Sequence, residues 1–187
     1  MQAAFADFRQ RLADAPEDST GFIYYTGHGI GSGAGQDYFI PVNLDITQIS
    51  RGQSMTSQSV SVEDALAQMV FDGPRQLVLA FDTNRAYIGQ RSKGIGQRDT
   101  PKELRLPEIY QLWATRIGDY AYETPEGSYF SQALADALRE PGLTVTEIFA
   151  RVQSETIEAS EGQQFPEAII STSRPLILFE GKGGKDT

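Results

Sequence analysis

Leu77-Val78-Leu79-Ala80-Phe81 is an unbroken apolar run that stops at the polar Asp82-Thr83-Asn84-Arg85, and it constrains the fold more than any other stretch of the chain. A strand with one solvated face alternates apolar and polar residues, whereas a run without alternation reads as a strand covered on both faces. Such a strand belongs inside a mostly parallel sheet with helices on either side, an α/β sandwich.

The remaining segments fit that architecture. Residues 3–13 predict a helix with Phe5, Phe8 and Leu12 on one face, broken by Pro16-Glu17-Asp18-Ser19. Gly21 to Thr26 predicts a short buried strand, and Gly29 to Gly35 a glycine-rich turn. Tyr38-Phe39-Ile40-Pro41-Val42 reads as an extended segment, with Pro41 pointing to a sheet edge. Residues 50–60 are polar and read as loop. Ser61 opens a helix with Asp64 as its capping partner, Ala65, Leu66, Met69 and Val70 as its apolar face, and Gly73-Pro74 as its end. Residues 88–106, rich in Gly, Arg and Lys, predict a loop, and Ile109 to Thr115 a third core strand. Phe130, Leu134 and Leu138 align on a helix. Thr144 and Glu147 form the capping box of another, whose buried stripe is Val145, Ile148, Phe149 and Val152. Pro175 to Phe179 predicts a final strand. One domain over residues 1–180 and a frayed tail over 181–187 are expected, with no internal repeat and no dividing linker.

Composition narrows the chemistry. The 187 residues carry 16 Lys and Arg against 25 Asp and Glu, a net charge of −9. An acidic chain is a poor match for nucleic acid or an anionic membrane, and a better one for a basic ligand. No apolar run approaches the ~20 residues that span a bilayer, and no basic-then-apolar leader is visible at the N-terminus. The sequence has no cysteine and one histidine. Disulfides, cysteine nucleophiles and histidine-rich metal sites are thereby removed, and the compartment is left open.

That one histidine, His28, follows the run Phe22-Ile23-Tyr24-Tyr25-Thr26-Gly27 and precedes Gly29. Open α/β sheets place their sites at the carboxyl ends of strands. Two such ends stand out: Thr26-Gly27-His28-Gly29 and Asp82-Thr83-Asn84-Arg85. Histidine is the side chain best suited to proton transfer near neutral pH. Gly29-x-Gly31-x-x-Ala34 fits only a relaxed dinucleotide-binding pattern, and the extended segment that follows stands where that fold needs a helix. The basic stretch with Arg85, Arg91, Lys93, Arg98, Lys102 and Arg105 reads as a solvated loop open to cleavage by another protease, rather than as a nucleic-acid patch.

Together the two strand ends resemble those of the caspase-like cysteine peptidases, and most closely the bacterial metacaspase or orthocaspase branch. That family delivers its catalytic histidine on a Tyr-Tyr-Ser-Gly-His-Gly strand end and its nucleophile on Asp-x-Cys-Arg. Here His28 precedes position 84 by 56 residues, against about 50 in the caspase signature. Asp37 to Asn43, Trp113-Ala114-Thr115 with Gly118, Ser128 to Leu134, and Gly162-Gln163-Gln164-x-Pro166 resemble further family segments in the same order. The resemblance spans about residues 1–180 and implies a caspase-like three-layer sandwich.

Two departures follow from it. The nucleophile position holds Asn84, whose carboxamide neither ionises nor attacks a carbonyl as a thiolate does. Thr83 as a substitute is disfavoured because neighbours on a strand alternate faces. In addition, the resemblance implies that the family's first strands are missing ahead of residue 3, so that a partner chain completing the sheet is conceivable. The resemblance also implies a pocket for Arg or Lys, in which Asp82 and the nearby Glu123 can hold a guanidinium in bidentate fashion. The expectation is a pseudopeptidase that has lost its nucleophile and binds a peptide or protein, with a basic residue in the pocket. The alternative is an inactivated or truncated form of a peptidase cleaving after Arg or Lys, with His28 as general base. No cofactor and no metal site are expected. Some metacaspases respond to calcium, but no spaced ligand loop is visible here.

Overall fold

The computed structural model describes residues 1–31, 36–44, 58–69, 75–86 and 108–180. Its centre is a four-stranded sheet in the order β1 (Thr20–Thr26), β5 (Gln76–Asp82), β6 (Ile109–Trp113) and β9 (Glu167–Ile170). The first three strands are parallel and β9 runs antiparallel to β6. A second sheet joins β2 (Gly29–Gly31), β3 (Asp37–Phe39) and β4 (Val60–Ser61), and β7 (Glu123–Thr124) pairs with β8 (Gly127–Ser128).

Every residue of β5 is buried, as its uninterrupted apolar run requires. Its side chains alternate between two cores. Leu77, Leu79 and Phe81 pack with Leu12 of α1 (Gln2–Asp14) and with Val62 and Leu66 of α2 (Val62–Ala67). Val78 and Ala80 pack on the opposite face with Phe130 and Leu134 of α3 (Tyr129–Leu138) and with Ile148 and Phe149 of α4 (Val145–Ala159). Strand side chains alternate between faces, so this division produces three layers: α1 and α2, the sheet, then α3 and α4. Gly21 permits the close seat of α1, since a β-carbon there would lie 2.9 Å from both Leu12 Cδ2 and Phe8 Cζ.

The helix starts follow their sequence signals. Ser61 Oγ accepts from the Asp64 amide, and Thr144 and Glu147 form a reciprocal capping box. Several expectations are corrected. Gly29 to Gly31 forms β2 rather than part of a turn, and residues 32–35 lie outside the described residues. Pro41 does not mark an edge: β3 is the central strand of its sheet and ends at Phe39, so the missing proline N–H interrupts no ladder. Val60, expected in a loop, forms β4 and is buried. The last strand is Glu167–Ile170, not residues 175–179. The latter segment instead crosses the start of α4, where the Leu176 carbonyl accepts from the Val145 amide. Helix N-termini leave four amides without intrahelical partners, and this segment satisfies one of them. The expected helix end at Val70 and Gly73-Pro74, the basic loop 88–106 and the tail 181–187 fall outside the described residues, wholly or nearly so. Among the described residues, no helix is long and apolar enough to cross a membrane.

Candidate active site

Parallel pairing in register brings the two sequence-predicted strand ends to the same height. Thr26 stands opposite Asp82, and the Gly27 amide donates to the Asp82 carbonyl at 3.2 Å. His28 and Asn84 therefore leave neighbouring strands two residues beyond the same rung. Gly29 lies against the second strand end: a β-carbon there would collide with Thr83 Oγ1 and come within 2.8 Å of the Asn84 carbonyl oxygen. Gly29→Ala is expected to force the two ends apart and to lower stability by about 1–3 kcal/mol, the usual range for overpacking, as read by urea unfolding.

The His28 side chain is exposed, while its backbone is held. Its carbonyl accepts from the Ile40 amide at 2.9 Å and from the Tyr25 hydroxyl at 3.0 Å. The imidazole is thus accessible to a ligand while the backbone that carries it is fixed. Thr83 is 3 % exposed and packed against Gly29, so it offers no free hydroxyl to a substrate.

Asp82 is buried at the carboxyl end of β5. Ser131, in the first turn of α3, donates its hydroxyl to Asp82 Oδ2, and Tyr24 Oη and Ser131 Oγ are 2.6 Å apart. A serine has one hydroxyl proton; with that proton on Asp82, Tyr24 is the donor to Ser131. The Ser128 hydroxyl also interacts with Asp82, and Ser128 Oγ accepts from the Ser131 amide as the cap of α3. Burial pushes the Asp82 carboxyl above the usual carboxylate range; the Ser128 and Ser131 hydroxyls oppose that push and the nearby Glu123 charge adds to it. Glu123 itself is exposed on β7. The structure thus brings Asp82 and Glu123 within electrostatic reach of one another, one buried and one at the surface.

Asn84 Oδ1 accepts from the Ala121 amide at 2.8 Å. The next amide, Tyr122, donates to Gln164 Oε1 at 2.9 Å, while Gln164 Nε2 donates to the Ala114 carbonyl. Arg85 donates its amide to the Asp119 carbonyl and accepts from the Gly118 amide. The segment from Gly118 to Tyr122, which leads to Glu123, is sewn to the end of β5 by these bonds.

Beneath it lies a buried cationic centre. Arg85 is 2 % exposed, grips both oxygens of Asp37 at 2.7 and 3.2 Å, pairs with Glu167, and lies 4.2 Å from the centre of the Trp113 ring. The Asp37 amide donates to Glu63 Oε1, whose carboxyl is raised chiefly by burial. One guanidinium therefore joins β3, β5, β6 and β9 at the end of the sheet where the site lies. Arg91, Lys93, Arg98, Lys102 and Arg105 lie outside the described residues. Among the described residues, no three His, Asp or Glu side chains converge so as to hold a metal ion.

The sequence marks Ser128, Ser131 and Gln164 only by resemblance, and Arg85 only as the end of the strand-end motif and as a loop charge. Their roles depend on contacts 42 to 82 residues apart in the chain. Tyr24 and Asp37 likewise stand only within segments of resemblance, and Glu167 carries no signal at all. A comparison with curated proteins found no match. The family model described as the caspase domain matches residues 1–177, and together with the parallel sheet that aligns the two strand ends this shows that the chain belongs to the caspase domain family.

Proposed function

We propose that this caspase domain binds, without hydrolysing, a peptide or protein segment that presents an arginine or lysine side chain. The observation that carries this reading is position 84. In a chain without cysteine, the strand end beside His28 carries an amide committed to the Ala121 N–H, next to the Asp82 carboxyl, which feels the charge of Glu123. Cysteine peptidase chemistry needs a thiolate, whereas cation recognition needs only Asp82 and Glu123. Within the family, the reading favours the bacterial metacaspase or orthocaspase branch, because Asp82 suits a basic rather than an acidic side chain. The net charge of −9 supports a basic partner over nucleic acid or an anionic membrane. Neither cofactor nor metal is required.

The test is calorimetric binding of short blocked peptides that differ only in one residue: arginine, lysine, norleucine or aspartate. Arginine and lysine peptides are expected to bind, and the other two to bind at least about tenfold more weakly, the worth of one charge-assisted hydrogen bond. Equal affinity for norleucine would sink the reading. Asp82→Asn is expected to remove the preference.

The pH dependence has two signs. A cation requires ionised Asp82, so affinity falls as pH drops through its raised pKa, and this loss begins above the ordinary carboxylate value of 3.8. Fold stability runs the other way. A carboxyl raised on folding contributes fully below its unfolded value and loses that contribution as pH rises through the folded one. Asp82→Asn is therefore expected to match or exceed the parent's melting temperature at pH 7 while binding is lost. A variant that fails to fold at pH 7 would contradict this assignment.

A further inference from the structure

The amide at position 84 does more than stand where the resemblance expects a nucleophile. Its Oδ1 receives the Ala121 N–H, and the very next N–H along the chain, that of Tyr122, is received by Gln164, a residue with no exposed surface. Two side-chain amides, one 37 residues before the segment and one 42 residues after it, thus accept from consecutive backbone N–H groups. With the Arg85 backbone holding Gly118 and Asp119, the segment is fixed at four successive points before it reaches Glu123. Tyr120 and Tyr122 flank Ala121 and are 60 % and 41 % exposed.

We propose that Asn84 is a positioning residue that locks the Gly118–Tyr122 segment as a preformed wall of the cation pocket, setting Glu123 opposite Asp82. This rests on the binding function proposed above and deepens it. A wall ordered in advance spares the ligand the entropy of ordering a loop, so the amide contributes to affinity without touching the ligand. A thiol cannot replace it, because sulfur is a weak acceptor. A carboxylate at the same position can, since its oxygen accepts in the same direction.

Amide hydrogen exchange of the full chain, followed residue by residue in nitrogen-15 spectra, tests this in the parent, Asn84→Ala and Asn84→Asp. Asn84→Ala is expected to speed exchange at Ala121 by about tenfold, the net worth of one hydrogen bond. Core amides such as those of Leu79 and Leu112 stay at parental rates, which separates loss of the lock from general destabilisation. Asn84→Asp is expected to restore protection at Ala121. Binding of the blocked arginine peptide should weaken in Asn84→Ala and return at least to the parental level in Asn84→Asp. Unchanged exchange at Ala121 in the alanine variant overturns the proposal. So does faster exchange with unchanged peptide affinity, or failure of the aspartate variant to rescue. If the arginine peptide does not bind the parent at all, the binding function falls, and the exchange data alone still decide whether Asn84 holds the segment.

Discussion

Asn84→Cys is expected to cleave fluorogenic peptides after arginine or lysine and not after aspartate, where the parent, on the function proposed above, cleaves none of them. The parallel register sets the ends of β1 and β5 side by side, and the variant adds the thiolate that the chain lacks. His28 would then serve as the base that generates it. General-base assistance contributes about 10²–10⁴-fold, so the double variant Asn84→Cys/His28→Ala should lose at least about a hundredfold of the activity gained. The new thiol gives up the Ala121 hydrogen bond, so activity should come with a high KM. Cleavage by the parent chain would refute the proposed loss of function. Absence of cleavage by a folded Asn84→Cys variant would mean that His28 and position 84 do not form a disarmed catalytic pair.

The largest effect on stability is expected at Arg85. Its guanidinium is buried between Asp37, Glu167 and the Trp113 ring, and Asp37 is itself buried. Removing one partner of such a pair leaves an uncompensated charge away from water and costs about 3–5 kcal/mol. That is a large fraction of the roughly 5–15 kcal/mol that separates folded from unfolded domains. Arg85→Met should lower the urea midpoint accordingly. Arg85→Lys should recover only part of the loss, because an ammonium cannot grip both Asp37 oxygens as a planar fork does. Arg85→Met with Asp37→Leu should recover part of it, since the buried Asp37 charge is no longer stranded, while Glu167, partly exposed, still loses its partner. A cost below about 1 kcal/mol for Arg85→Met would show that the cluster contributes little, the usual result for exposed pairs.

The contrast between Arg85 and β5 explains what the sequence could disclose. Leu77 to Phe81 announces its burial locally, because each apolar side chain argues for the same covered strand. Ser61 and Thr144 likewise name their helix starts through partners three residues away. Arg85 sits in a stretch that reads as basic and solvated, and it is Asp37, 48 residues earlier, with Glu167, 82 residues later, that makes it a buried centre. A cation and its distant carboxylate leave no periodic trace. Glu167 to Ile170 was missed for a related reason. Four residues are too few for a period-two signal, and their strand exists because β6 offers an antiparallel edge. His28, Asp82 and Asn84 stand out in the sequence as candidates because strand ends in open α/β sheets are where sites lie, and the structure sets those two ends side by side. Glu123 was legible only through its resemblance to a family loop, and the hydroxyls of Tyr24, Ser128 and Ser131 around Asp82 were not legible as a network.

The pairing of β1 with β5 has a consequence for how the molecule comes to exist. Thr20 meets Gln76 and Thr26 meets Asp82, so every rung of that ladder joins residues 56 apart. Parallel strands so far apart must close a long loop before any contact rewards the loss of chain entropy, which makes them slow to form. His28 and Asn84 lie just past the last rung and have no shorter route to each other. On a growing or refolding chain, the helices and their caps can form early from local signals, while the candidate site waits for the slowest class of contact in the fold. Competence for the binding proposed above would then be a late property of the sheet, carried by neither half alone.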